Sequence, residues 1–357
     1  MRFNRLWILT SVVVVFLLTI LIISPAGTWH RMKDMPDSRS NHRLAELDGV
    51  IYVLGNQNTT RAFVLAYDIA SGEWTRRADM ITPRQQMAVA IVNGLIYCIG
   101  GNGPVGGVRG DHYVNEVYDP GSDTWTQLAN MPSARKRVQA GVVDGVIYVV
   151  GGNVNPQSGG NVASKLCEAY DPATDTWTKK ADMIHTQDWS DCNAIGDKIY
   201  VTGGWQGTTL QVYDTATDTW EKSRGLGRIV GNWGVSTTVH KGQIYIFGGT
   251  FQSQIGNAFM IYDPKTDKLV KNDKEDKQGI PYKTTTANAV TVDQKIYLMG
   301  GQGDTSSGSQ VYVYDPLAAP PMNRFSAADS KKQDIAPDID SKEKLVSTWG
   351  KLKESVE

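Results

Sequence analysis

The chain has 357 residues, with 36 Lys and Arg against 37 Asp and Glu, a formal net charge of −1. That balance excludes a basic field drawing the protein to nucleic acid, and it offers no acidic block either. Ten Trp and fifteen Tyr, with few amphipathic patterns of helical length, favour an all-β domain over a helical one.

The first predicted element stands apart from the rest. Arg2 and Arg5 precede an uncharged run from Leu6 to Ile23, eighteen residues that reach the lower limit for a membrane span. Residues 1–26 are read as an uncleaved signal anchor or transmembrane segment, with cleavage after Ala26 as the alternative. Basic residues before the run and none directly after it place the N-terminus in the cytoplasm. The remaining domain is then extracytoplasmic: on a single-pass membrane protein if the anchor stays, secreted or periplasmic if it is cut.

From residue 27 the sequence repeats itself. A strand spelled "GVIYVVGGN" at 145–153 recurs around Tyr52, Tyr97, Tyr148, Tyr200, Tyr245 and Tyr297, at spacings of 45, 51, 52, 45 and 52 residues. A Tyr-Asp pair follows each: Tyr67, Tyr118, Tyr170, Tyr213, Tyr262 and Tyr314 lead it. Four pairs run on into a Trp strand, as in "YDPATDTW". Each unit predicts a four-stranded antiparallel meander. Asp-Gly or Asn-Gly turns suit the first hairpin, and Asp-Pro-x-Thr-Asp suits the third. One such sheet cannot bury both faces alone, and six arranged radially can.

The combination of Gly-Gly, Tyr-Asp-Pro and Trp at this period resembles the kelch repeat. The resemblance covers roughly residues 28–317 and implies an all-β, six-bladed kelch-type β-propeller spanning 27–317. Departures are Gly55-Asn56 for the first Gly pair and Leu269 at the fifth Trp place. The sixth unit lacks a Trp strand, while "GTWHRMKDMP" supplies one with no strands before it. The strand around Trp29 is therefore expected to close the ring from the N-terminal end. Residues 318–357 read as a polar linker and tail, with a short amphipathic helix near Leu345, Val346, Trp349 and Leu352.

Function is sought where the first strand of each unit begins, on the face where the second strand ends in its glycines. Counting thirteen residues back from each marker Tyr gives Arg39, Arg84, Arg135, Gln187, Asn232 and Thr284. Two positions further on stand Asn41, Gln86, Arg137, Trp189, Gly234 and Thr286, with Trp233 alongside. Arg39, Arg84, Arg135 and Arg137, with Gln187, Trp189, Asn232 and Trp233, form the predicted ligand-binding set. Converging guanidinium groups suit a carboxylate or phosphate, and indole suits a sugar ring or peptide side chain. The bland alternatives are that the arginines bond loop carbonyls and that the indoles pack between blades. Arg109, Asp111 and His112 lie in the long loop of the second unit.

By resemblance, kelch domains mostly bind proteins or peptides at this mouth, so the expected activity is a binding module for a protein, peptide or other anionic ligand. The alternative is an enzyme on an anionic carbohydrate. Some exported bacterial kelch proteins resemble this layout and interconvert sialic acid anomers. Such an enzyme needs an acid–base carboxylate in the mouth, for which Asp188 and Asp111 are the nearest candidates. No metal or cofactor is expected: the five His show no ligand spacing, and no phosphate loop or nucleophile elbow is present. Cys98 reads as a buried thiol, while Cys167 and Cys192 fall on neighbouring units where a disulfide is open. Asn58 begins a glycosylation sequon.

Overall fold

The computed structural model describes residues 27–317, apart from 59–62, 106–107, 155–159, 205–209, 224–232, 252–253, 273–278 and 304–307. The expected anchor at 1–26 and the tail at 318–357 lie outside the described residues. Among the described residues no helix is long and apolar enough to cross a membrane. The regular structure there is all strand, arranged as a six-bladed propeller.

Each blade is an antiparallel sheet, and blade 3 is representative. Its strands Gln139–Val143, Val146–Val150, Cys167–Asp171 and Thr176–Lys179 pair in sequence order. The first hairpin turns through Asp144 and Gly145, at φ 50° and 77°. Two successive positive φ values match the right-handed strand twist. The second strand is apolar along its length because both of its faces meet neighbouring blades, and Ile147, Val149 and Val150 are fully buried.

Closure follows the expected route. Blade 6 consists of Asn288–Val292, Lys295–Met299 and Val311–Asp315, and its outermost strand is Thr28–Arg31. Trp29 sits opposite Tyr314, the register in which Trp125 faces Tyr118 and Trp177 faces Tyr170. In blade 5 Leu269 takes that place opposite Tyr262.

The recurring Trp and Asp join blades together. Trp177 Nε1 donates to the Ala129 carbonyl of blade 2 at 2.8 Å, and Asp175 accepts the Ala129 N–H at 2.8 Å. The same carboxylate oxygen accepts the Tyr170 hydroxyl at 2.6 Å. Asp123 grips Ala78 and Tyr118 in the same way, and Asp218 grips Ala181 and Tyr213. The three aspartates adopt φ of 54°, a conformation that Asp tolerates better than most side chains. The "TDTW" Asp is thus both turn former and inter-blade clamp. Blade 1 has Gly72 at this position, so its seam with blade 6 lacks the carboxylate.

Glycine pairs make a second inter-blade joint. The N–H groups of Gly101, Gly152, Gly249 and Gly301 donate to the carbonyls of Arg135, Gln187, Thr284 and Arg39 on the next blade, at 2.8 to 3.0 Å. A Cβ on Gly100 would stand 2.8 Å from the Arg135 oxygen, closer than side-chain carbons are found. The pair is therefore needed for close approach as well as for its positive φ.

The seam between blades 6 and 1 also holds His42. It is fully buried, with neither ring nitrogen bonded, where blades 2 and 3 place Met87 and Val138. Burial first, then the Arg39 and Arg43 charges, push its pKa down to about 3.

Two outcomes are expected. Asp123→Ala removes acceptors for the Ala78 amide and the Tyr118 hydroxyl at a positive-φ position, and should lower unfolding free energy by about 2–3 kcal/mol in urea titrations. Asp123→Asn keeps an acceptor oxygen and should lose under about 1 kcal/mol. Burial pushes the Asp123 carboxyl up, but the Tyr118 hydroxyl, the Ala78 amide and Arg77 outweigh it and hold it below its ordinary value. Its contribution is thus complete above about pH 4 and lost as pH falls below that.

His42 acts at higher pH. The unfolded chain takes up its proton below about 6.5 while the fold refuses it, so stability falls as pH drops. Replacing His42 by Met should spare about 2 kcal/mol of the loss between pH 6.5 and 5, read as the difference between wild-type and variant urea midpoints.

Candidate functional site

The described thirteen-back residues do not converge on the mouth. Arg39, Arg84 and Arg135 are 1, 1 and 0% exposed, and their side chains turn back into their own blades. Arg84 Nε donates to the Gly100 carbonyl at 2.9 Å, and Arg135 Nη1 to that of Gly151 at 2.6 Å. Arg39 reaches the Gly55 carbonyl at 3.2 Å, and Gln187 reaches that of Gly203 at 2.7 Å. In blade 6, where Thr284 is too short, the Tyr282 hydroxyl donates to the Gly300 carbonyl at 3.1 Å. Five blades thus satisfy the first glycine's carbonyl with a long polar side chain.

Charge is balanced inside the sheet as well. Arg84 pairs with buried Glu116 at 2.5 Å, Arg135 with Glu168 at 2.7 Å, and Arg39 with Asp37 at 3.0 Å. Burial pushes the Arg135 guanidinium down, against the pull of Glu168. Blade 4 carries the uncharged equivalent, Gln211 donating to Gln187 at 2.8 Å. The structure thus places Arg39, Arg84, Arg135 and Gln187, expected in a ligand ring, in an intra-blade lock. Asn232 lies outside the described residues.

The residues two positions further on face the axis. Asn41, Gln86, Arg137, Trp189, Gly234 and Thr286 have φ of 56°, 57°, 55°, 61°, 75° and 57°. Their backbones run from blade to blade: Gln86 N–H donates to Asn41, Arg137 to Gln86, Gly234 to Trp189 and Thr286 to Gly234, at 2.7 to 3.2 Å. Above this belt lies an open mouth of about 460 Å³, whose walls include Gln57, Gln85, Asn102, Lys136, Trp233 and Gln302. Below it the channel narrows to a throat of about 20 Å³, bounded in part by Arg43, Gln139 and Ser190.

The mouth is asymmetric. Arg137 Cζ lies 4.1 Å above the Trp189 ring, and Trp189 lies 5.4 Å from Trp233, tilted at 49°. A guanidinium over an indole face is attractive by itself. Arg137 Nη1 also donates to Asp188 at 2.8 Å, and Asn153 donates to the same carboxylate oxygen at 3.1 Å. Burial pushes the Asp188 carboxyl up, opposed by Arg137 and Asn153. Lys136 is tied at 3.2 Å to Asp111, which also accepts the Asn102 side chain at 2.9 Å. Asp188 and His112 are buried behind the wall, and Asp111 is part-buried with its side chain 5% exposed; the Arg109 side chain lies outside the described residues.

Of the predicted set, the structure brings together Arg137, Trp189 and Trp233. The sequence reading placed Asn41 and Gln86 on this ring without adding them to the binding set, and it missed Arg43, Lys136 and the amides Gln57, Gln85, Asn102 and Gln302. Cys98, Cys167 and Cys192 are free thiols. Among the described residues no cluster of His, Cys, Asp or Glu is arranged to hold a metal ion.

A kelch motif model matches residues 83–132 and 134–184, and a model described as the KLHDC2/KLHL20/DRC7 Kelch-repeats domain matches 189–336. This chain is built of kelch repeats. Relatives include Kelch-like protein 36 of Rattus norvegicus, 26% identical over 193 residues, which are 52% of this chain and 30% of the rat protein. Beta-scruin of Limulus polyphemus is 28% identical over 214 residues, 56% of this chain and 22% of that one. The chain thus spans under a third of these relatives. The solved structure of YjhT aligns with a TM-score of 0.68 over 79% of this chain and 95% of its own, at 15% identity, a likeness of fold.

The intra-blade lock is testable. Arg135→Gln alone leaves Glu168 buried without its cation and should lower unfolding free energy by about 3–5 kcal/mol. The double variant Arg135→Gln/Glu168→Gln copies the blade 4 pair and should recover most of that loss in the same chemical denaturation series.

Proposed function

We propose that the propeller is a binding module that receives a segment of a partner protein in the mouth formed by Arg137, Trp189 and Trp233. The observation that carries this reading is the asymmetric wall, with two indoles and a pre-oriented guanidinium on one side of the axis and amides on the other. Aromatic and Arg side chains concentrate binding energy at protein interfaces, and a group already held in place loses little freedom when a partner arrives. The kelch-like relatives support a protein partner. Residues 1–26 would anchor the domain at a membrane, with the propeller on the extracytoplasmic side. The sugar-enzyme alternative gains nothing specific. Asp188 and Asp111 tether Arg137 and Lys136, and no carboxylate is among the described residues lining the mouth.

A photo-crosslinking residue placed at Trp233 in the full chain, irradiated in cells, tests the reading. One discrete adduct is expected, and it should disappear when Arg137→Ala is added. An absent adduct, or one indifferent to Arg137, would argue against the mouth as the binding surface.

A further inference from the structure

The throat beneath the mouth holds polar atoms that find no partner within the protein. Ser190 Oγ, Thr286 Oγ1 and Asn41 Oδ1 are buried and unbonded, in residues only 4, 7 and 8% exposed, and Arg137 Nε is in the same condition. All four residues line the same space of about 20 Å³. They come from blades 4, 6, 1 and 3, so their meeting is a product of the ring and not of one loop. Buried polar groups without partners are rare in folded proteins, and each is costly.

Thr286 adds a second sign. It is a β-branched residue at φ 57°, where blade 5 uses glycine. A branched side chain is disfavoured there, and such strain concentrates at functional positions. The backbone belt alone has no need of its hydroxyl.

The chemistry of an occupant follows from donors and charge. The Arg137 Nε–H can only donate and Asn41 Oδ1 can only accept, while the Ser190 and Thr286 hydroxyls can do either, so the occupant must present both an acceptor and a donor. A carboxylate would arrive without a counter-charge. The cations here are Arg43, Lys136 and Arg137, and each already has its carboxylate. Asp188 bonds Arg137, Asp111 bonds Lys136, and Asp191 lies in the field of Arg43. Asp191 is in turn held by the N–H groups of Thr237 and Cys192. Arg43 donates to the Met87 carbonyl at 3.1 Å and to Asn288 at 3.3 Å. With three cations and three carboxylates in balance, an uncharged acceptor fits better than an anion, since burying an unpaired charge is the more expensive step.

We propose that the throat is a subsite for an uncharged secondary amide, its oxygen accepting from Ser190, Thr286 and Arg137 and its N–H donating to Asn41 Oδ1. The apolar part of the same group would lie along Trp189. This deepens the reading of the mouth as a binding surface and rests on it. An acetamido sugar and a peptide both carry the required carbonyl.

The test uses the purified full chain and four probes followed by ligand-observed NMR and tryptophan fluorescence. These are N-acetylglucosamine, N-acetylglycinamide, glucose and acetate. One or both amide probes should bind, with the pattern naming the source, and glucose and acetate should bind at least about tenfold more weakly. The double variant Ser190→Ala/Thr286→Val, which keeps side-chain shape at Thr286, should lose at least about tenfold in amide-probe affinity, the scale of one lost hydrogen bond or more. Without any probe its melting temperature should stay level or rise, because it removes unbonded buried hydroxyls.

Acetate binding as well as the amides, no binding by either amide, or a marked fall in melting temperature of the unliganded variant would overturn the proposal. Trp233→Ala separates the two readings. Amide binding that this variant loses and the hydroxyl variant keeps would leave the mouth standing and the throat refuted. Amide binding that survives both changes would refute both.

Discussion

Six sheets that share no continuous hydrogen-bond ladder must still be held in one ring, and the polar grip of each blade on the next is the constraint that the rest obeys. Apolar packing between faces supplies most of the driving force but little direction. Orientation comes from the glycine N–H that meets a carbonyl across the seam, the Asp–Tyr–amide clamp, and the belt of positive-φ residues around the axis. These explain why so many positions in each unit are fixed in type. The Gly pair, the Tyr, the Asp and the Trp each place one atom against the adjoining blade.

The same constraint separates scaffold from site. A long polar side chain thirteen residues before the marker Tyr is claimed by its own blade's glycine carbonyl. What remains for a ligand is the next pair of positions, where side chains vary freely because the belt uses only their backbones. Amides occupy blades 1 and 2, Arg137 blade 3, Trp189 blade 4, glycine blade 5 and threonine blade 6. Buried carboxylates behind Lys136 and Arg137 then hold two of these side chains still.

Period, blade count and closure at Trp29 were legible in the sequence because each depends on recurrence, which six copies make plain. The role of the arginines was not, because counting along a strand locates a residue without saying which way its side chain turns. The missing clue was nonetheless present. In blades 2, 3 and 4 the residue two before the second Tyr is Glu116, Glu168 and Gln211, so the pairs Arg84 with Glu116, Arg135 with Glu168 and Gln187 with Gln211 vary in step. Blade 1 has Leu65 there and pairs Arg39 with Asp37. Matched changes within one chain's own repeats can point to contact. Asn41 and Thr286 were legible as members of one ring, but their meeting with Ser190 in the throat was not, since it exists only once the ring is closed.

Closure by the strand Thr28–Arg31 also imposes an order of events on the ribosome. Its partner, Val311–Asp315, begins 280 positions after Arg31. At roughly 5–20 residues per second, the first strand waits on the order of 15–60 s before its mate is made. For that interval it is an unpaired edge, the kind of segment that recruits wrong neighbours. It is only four residues long and carries Thr28, His30 and Arg31 around a single indole, a composition poor at self-association. The shortness and polarity of the closing strand therefore suit the nascent chain as well as the finished ring.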